Sequence, residues 1–146
     1  MIFPHTARQA IFIWKDVSTL SGLSQVIVGG GLRVGDDIRD VAHVAENEWT
    51  LKNGIHANMS LRDLLDLNKA DFNIYGKPSP YYMMISSEPG SILHAGNTNV
   101  VMGCFNCGGS SNLSRPLASA SALSNEGLSM HVQMLILTPP APMAHR

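Results

Sequence analysis

The segment 128–137 constrains the fold of this chain more than any other. Its odd and even positions differ in polarity at the start, with Leu128, Met130, Val132, Met134 and Ile136 alternating with Ser129, His131, Gln133, Leu135 and Leu137. Alternation with a period of two is the pattern of a β-strand. From Met134 onward every position is apolar, as in strands that are covered on both faces. We therefore expect a strand that runs from the rim of a sheet into its centre.

Five further short segments have the composition of strands, and turn signals separate several of them. They span 9–14, 26–28, 81–86, 91–94 and 99–105. Gly29-Gly30-Gly31 ends the second, because glycines have no side chains to pack on a sheet. Pro89-Gly90 and Gly96-Asn97 are turn signals between the later segments. Together they predict an antiparallel sheet that is built largely from the second half of the chain.

Two helices are predicted in the first half. The first has Asp36 or Asp37 as its cap, apolar residues spaced three and four apart from Ile38 to Trp49, and a stop at Gly54. The second begins at Ser60, whose hydroxyl can cap the amide of Asp63 in a relative of the capping box. The stretch 108–127 is rich in Ser, Ala, Asn and Leu, and its pattern fits either a helix or an ordered loop.

The predicted fold class is α+β, with a mainly antiparallel sheet and two helices in the N-terminal half. A β-sandwich, such as a jelly roll, is the alternative if the helices are short. Residues 1–146 form a single domain by size, and 139–146 are a proline-rich extended tail or arm. The predicted core consists of Ile11, Ile13, Val26, Val28, Ile38, Val41, Leu61, Leu64, Val100, Val132, Met134 and Ile136.

Charge is scarce and unevenly distributed along the chain. Only 14% of residues are charged, against roughly 25% in an average soluble domain. Most of these charges lie between Arg8 and Asp71, and the remaining ones are Lys77, Glu88, Arg115, Glu126 and Arg146. A region with so few charges is usually covered by its own fold or by neighbouring subunits. The second half is therefore expected to take part in protein association.

Net charge and hydropathy exclude several classes of partner. The net charge is −1 and no two lysines or arginines are adjacent, so direct charge neutralisation of nucleic acid and attraction to an anionic membrane are not expected. No apolar run has the length of a membrane span, and the first residues lack the pattern of a signal peptide. The expected location is the cytoplasm or an assembled virion.

The pair Cys104-x-x-Cys107, followed by two glycines, is the sharpest local motif. It resembles half of a zinc knuckle, and His94 and His131 on predicted strands are the candidates to complete a tetrahedral site. A redox pair is a second interpretation. It needs the first cysteine at a helix N-terminus, where the helix dipole lowers the pKa of the thiol, whereas this pair follows a predicted strand. A third interpretation is two small buried residues at the end of a strand, with no metal or other cofactor.

The segment 26–35 resembles the dinucleotide-binding fingerprint. Gly29 and Gly31 stand at the first two glycine positions, but Val34 stands at the third, where glycine allows close packing of helix and strand. The resemblance covers about ten residues, and a glycine-rich bend leading into a helix accounts for them without a ligand.

Three functions are compatible with these patterns. The first is a structural or assembly subunit of an oligomeric particle, such as a virion decoration or head–tail protein, whose partners are protein subunits. The second is a small enzyme or toxin-like effector with a Cys/His site, although no catalytic residue is predicted. The third is a monomeric module that binds a small ligand near the glycine turn.

Overall fold

Strand β8 (Met130–Leu137) lies inside the main sheet of the computed structural model. It pairs antiparallel with β2 (Ser21–Val28) along one edge and with β6 (Thr98–Cys104) along the other, and β1 (Ala10–Asp16) adds to β2. The prediction that 128–137 runs into the centre of a sheet is confirmed. The structure describes residues 2, 8–29, 33–34, 37–38, 48–86, 88, 91 and 97–139, and only the backbone of 33–34 and 37–38.

The other elements are short. They are β3 (Arg33–Val34), β4 (Asp37–Ile38), α1 (Leu61–Asn68), β5 (Asn73–Tyr75), a 3-10 turn (Asn112–Ser114), β7 (Leu117–Ser119) and α2 (Ala120–Asn125). β3 pairs with β4, and β5 pairs with β7, both antiparallel. The protein is α+β and mainly sheet, as the sequence predicts.

The outer edge of β6 is covered by residues 83–85. The amide of Met102 donates to the carbonyl of Met83 at 2.8 Å, and the amide of Ile85 donates to that of Val100 at 3.0 Å. Ile85 also bridges to Ile74 of β5, so this segment links the main sheet to the β5–β7 pair. The predicted strand 81–86 is wrong over its first half, because Met83 has a φ of 73° and an extended strand requires negative φ.

Apolar side chains are buried on both faces of the sheet. Val100, Val132 and Leu135 belong to the larger cluster, which includes the buried residues of α1 and α2. Val101 and Met134 belong to a smaller, separate cluster with Ile27. Neighbouring residues of one strand point to opposite faces, so β6 and β8 each supply both clusters.

Helix α1 begins and packs as its sequence predicts. The hydroxyl of Ser60 accepts a hydrogen bond from the amide of Asp63 at 3.1 Å, and Leu61 and Leu64 are buried. The residues before the helix are bound to β8, since Val132 donates to the carbonyl of Met59 and accepts from the amide of Asn58. This attachment holds α1 over the larger cluster.

The first predicted helix is not observed where the structure describes its ends. Asp37 and Ile38 form β4, and Trp49 and Thr50 are not helical, while 39–47 lie outside the described residues. The second observed helix is instead α2, within the stretch that the pattern left open.

The main sheet also differs from the prediction in its origin, since it takes two strands from each half of the chain. Ile13, Val26 and Ile136 of the predicted core are only partly buried. The side chain of Ile38 and the whole of Val41 lie outside the described part of the chain. The same is true of 92–96, which include most of the predicted strand 91–94, and of 140–146 in the predicted tail.

We expect Leu64→Ala to destabilise the protein by about 2–5 kcal/mol, because it leaves a cavity where a fully buried side chain stood. Leu67→Ala makes the same change on the same helix at a side chain that is 37% exposed, and its cost should stay below about 1 kcal/mol. Urea unfolding of both variants measures the difference. Equal losses would contradict the position of α1.

Candidate functional site

The Cys104-x-x-Cys107 motif lies where β6 ends. The two cysteines form a disulfide with their Cα atoms 5.8 Å apart. A zinc ligand is a thiolate, which neither sulfur is in this form. His131 lies opposite Gly103 in the register of β6 and β8, and His94 lies outside the described residues. Among the described residues, no group of three or more His, Cys, Asp or Glu is placed to hold a metal. The zinc set stays a prediction.

The loop that this disulfide closes and the glycine that follows it are held by three hydrogen bonds to the rest of the protein. The side-chain oxygen of Asn106 accepts from the amide of Ser129 at 2.7 Å, and its amide group donates to the carbonyl of Gly127 at 3.3 Å. The Nζ of Lys77 donates to the carbonyl of Gly108 at 3.1 Å. These contacts bind the loop to the start of β8 and to the segment after β5.

A cleft of about 270 Å³ opens beside the disulfide. Its lining residues include Met134 of the smaller cluster and the exposed residues Phe105 and Gly108. Gln133 contributes a polar side chain to it, and no charged residue is found among the described residues that line it. The described lining is therefore uncharged, and Gln133 and Tyr82 contribute its polar side-chain groups.

Gln133 enters the cleft because of an irregularity in the strand pairing. Val101 pairs with Met134 and Met102 pairs with Val132, so Gln133 is the additional residue of a β-bulge. Its side chain is only 9% exposed and has no hydrogen-bond partner among the residues that the structure describes. An unpaired buried amide costs about 1–3 kcal/mol. Bulges often aim a side chain at a functional site.

Gly103 makes room for two polar side chains. A Cβ at this position would lie 3.0 Å from Nε2 of His131 and 3.2 Å from Oε1 of Gln133. Both side chains therefore lie over the backbone of β6, where any residue other than glycine would displace them. The sequence analysis missed Gly103 and Gln133, although a glycine inside a strand is a signal for such close approach.

His131 is half-buried beneath an exposed aromatic ring. Its imidazole stacks on Phe105 with centroids 5.1 Å apart and an angle of 19°, while Phe105 itself is 87% exposed. Burial lowers the pKa of His131, so the neutral imidazole dominates near pH 7. A neutral ring can both donate and accept a hydrogen bond.

The serine-rich stretch and two carboxylates stabilise the region around α2. The carboxylate of Glu126 accepts from Ser110 and Asn112, both at 2.9 Å. That of Asp71 accepts from the hydroxyls of Ser119 and Ser121 at 2.6 and 2.7 Å. Partial burial acts to raise the pKa of Asp71, but these hydrogen bonds and those from backbone amides outweigh it and lower the pKa. The serines of this stretch therefore hold the region together by hydrogen bonding.

The glycine turn after β2 is explained by packing. Gly29 has a φ of 100°, and a Cβ there would lie 3.1 Å from the carbonyl oxygen of Gln133. Gly31 lies outside the described residues. Instead of the helix that a dinucleotide fingerprint requires, β3 and β4 follow. The geometry of Gly29 therefore needs no nucleotide.

No protein-family model, curated protein or solved structure matches this chain. Within the described ranges, none of the helices is long and apolar enough to cross a membrane. The candidate site therefore depends on its own geometry alone.

We expect the double substitution Cys104→Ser/Cys107→Ser to lower the free energy of unfolding by about 2 kcal/mol, because the short disulfide loop no longer restricts the unfolded chain. Thermal unfolding with and without a reductant measures the loss. The variant should not respond to reductant, and the denatured wild-type protein should show free thiols only after reduction. Free thiols before reduction would contradict the disulfide.

In the unfolded chain His131 has the ordinary histidine pKa of about 6.5, and in the folded protein burial lowers this pKa. Between these two pKa values the unfolded chain binds more protons than the folded protein. Stability should therefore be complete above this window and fall as the pH decreases through it. His131→Phe should remove that part of the dependence, as shown by urea unfolding at several pH values. Asp16 and Asp71, whose pKa values are also lowered, lose their contribution only in more acidic solution. Identical profiles for both proteins would contradict the burial of His131.

Proposed function

We propose that the protein is a structural subunit that assembles with copies of itself or with another protein chain, as virion components do. The hairpin formed by β1 and β2 carries this proposal. β2 pairs with β8 only through Val26, Ile27 and Val28, whereas its pairing with β1 continues to Ser21. Among the described residues, the hairpin therefore continues past the end of β8, and its outer part has strand edges to which another chain can pair.

The tip of this hairpin is ordered by polar contacts and yet exposes apolar side chains. The carboxylate of Asp16 accepts from the hydroxyl of Ser18 at 2.6 Å and from its amide at 2.9 Å. Val17 is 74% exposed and Leu20 is 60% exposed. Exposed apolar residues on a projecting hairpin are suited to insertion into an apolar groove of a neighbouring subunit.

Leu20 also has a backbone conformation that leucine disfavours. Its φ is 50°, in the left-handed region where a non-glycine residue costs about 1–2 kcal/mol and where asparagine is tolerated better. A costly residue at an exposed tip is understandable if its side chain has a function. Contact with a neighbouring subunit would supply that function.

The scarcity of charge in the second half supports the same proposal. The described charged residues after Asp71 are Lys77, Glu88, Arg115 and Glu126. Lys77 and Glu126 are already engaged in hydrogen bonds within the protein. Such a surface presents little charge that would have to be desolvated when a subunit packs against it.

We expect Leu20→Asn to weaken assembly by roughly tenfold or more, because it removes an apolar side chain worth about 1.5–3 kcal/mol when buried. The same change should leave the subunit as stable or more stable, since asparagine tolerates a positive φ. Light scattering coupled to size-exclusion chromatography, over a dilution series, measures assembly.

Lys69→Asn is the matched control, because Lys69 has a φ of 57° at the end of α1, far along the chain from the hairpin. It should leave assembly unchanged. A wild-type protein that stays monomeric at the highest concentration reached would contradict self-assembly. Equal effects of the two substitutions would contradict the role of the hairpin.

A further inference from the structure

We propose that the cleft beside the Cys104–Cys107 disulfide binds a small, uncharged, planar molecule that carries a hydrogen-bond donor next to an acceptor, as carboxamides and nucleobases do. Assembly through the hairpin neither requires nor includes this site. The inference rests on the unpaired amide of Gln133, the composition of the cleft walls and the aromatic ring at its opening.

Gln133 supplies the recognition group. Its amide presents an acceptor oxygen and a donor nitrogen side by side, which is the complement of a donor–acceptor pair on a planar ligand. Gln133 is only 9% exposed, lines the cleft, and its side chain makes no hydrogen bond with any described residue. A ligand with both functions would satisfy this amide in a single plane.

The walls of the cleft select an uncharged ligand. Met134 of the smaller cluster lines it, and methionine side chains adapt to the shape of a bound group. The described lining contains neither a cation to pair with a phosphate or carboxylate nor an anion to pair with an amine. A charged ligand would lose its hydration there without compensation.

Phe105 favours a planar ligand. Its ring is 87% exposed even though it stacks on His131, and aromatic rings stack on other planar groups in offset or edge-to-face arrangements. The loop that carries it is fixed by the disulfide and by Asn106. At Gly108 an added Cβ would meet nothing within 4 Å, so the opening of the cleft is not crowded on that side.

The test is a titration of the full-length protein, labelled with carbon-13 at its methionine methyl groups, with nicotinamide and separately with adenine. Among the methionine methyl resonances, at least one probe should shift that of Met134, which lines the cleft and belongs to the smaller cluster. Those of Met59 and Met130, which are buried but do not line the cleft, should stay in place. Benzene, which has no donor or acceptor, should bind about tenfold or more weakly, the loss expected for the hydrogen bonds to Gln133.

Gln133→Met separates recognition from folding. The substitution nearly conserves volume and removes the unpaired amide, so the melting temperature should be unchanged or higher while the affinity for the probe falls about tenfold or more. Gln25→Met, the same change on β2, should leave the affinity unchanged.

Three results would overturn the proposal. The first is that neither probe shifts the methyl resonance of Met134. The second is that Gln133→Met binds the probe like the wild type. The third is a clearly lower melting temperature of that variant, which would mean that the amide serves the fold. Each can occur whatever the assembly state, so failure of this proposal is distinguishable from failure of the hairpin proposal.

Discussion

The pairing of β8 along both of its edges is the constraint on which the rest of the structure depends. β6 pairs with it over its whole length, while the opposite edge is shared between β2 and the residues that precede α1. A strand in this position must be apolar on both faces, and its apolar residues supply two separate clusters. Helix α1 reaches its place in the core through the same strand, since Val132 binds the backbone of Met59.

The cleft is a consequence of one interruption in that pairing. The bulge leaves Gln133 without a partner residue on β6, and Gln133 lines the cleft. Gly103 on the facing strand is its counterpart, because a Cβ there would press against the side chains of His131 and Gln133. The end of β6 is then closed by the disulfide, which fixes the loop that carries Phe105.

The hairpin and the cleft, to which the two proposals refer, lie toward opposite ends of β8. β2 is antiparallel to β8, and its Val26 lies opposite Leu137, the last residue of β8. The part of the hairpin before Val26 therefore extends past the C-terminal end of β8. The cleft lies toward the N-terminal end of the same strand, beside Gln133. A subunit that contacts its neighbours through the hairpin would therefore leave the cleft accessible to a small molecule.

The sequence by itself determined the elements whose signals are local. The alternation in 128–137 predicted an interior strand, and Ser60 with Asp63 predicted the start of α1, because strand burial and helix capping each depend on a few neighbouring residues. It also marked the cysteine pair, although it left a zinc site, a redox pair and two buried cysteines open. Tertiary structure alone decided that β1 and β2 join the main sheet, that Gln133 is bulged and that Gly103 faces it. These features depend on register between segments about thirty to a hundred residues apart, and no local pattern records which residue of a distant strand lies opposite.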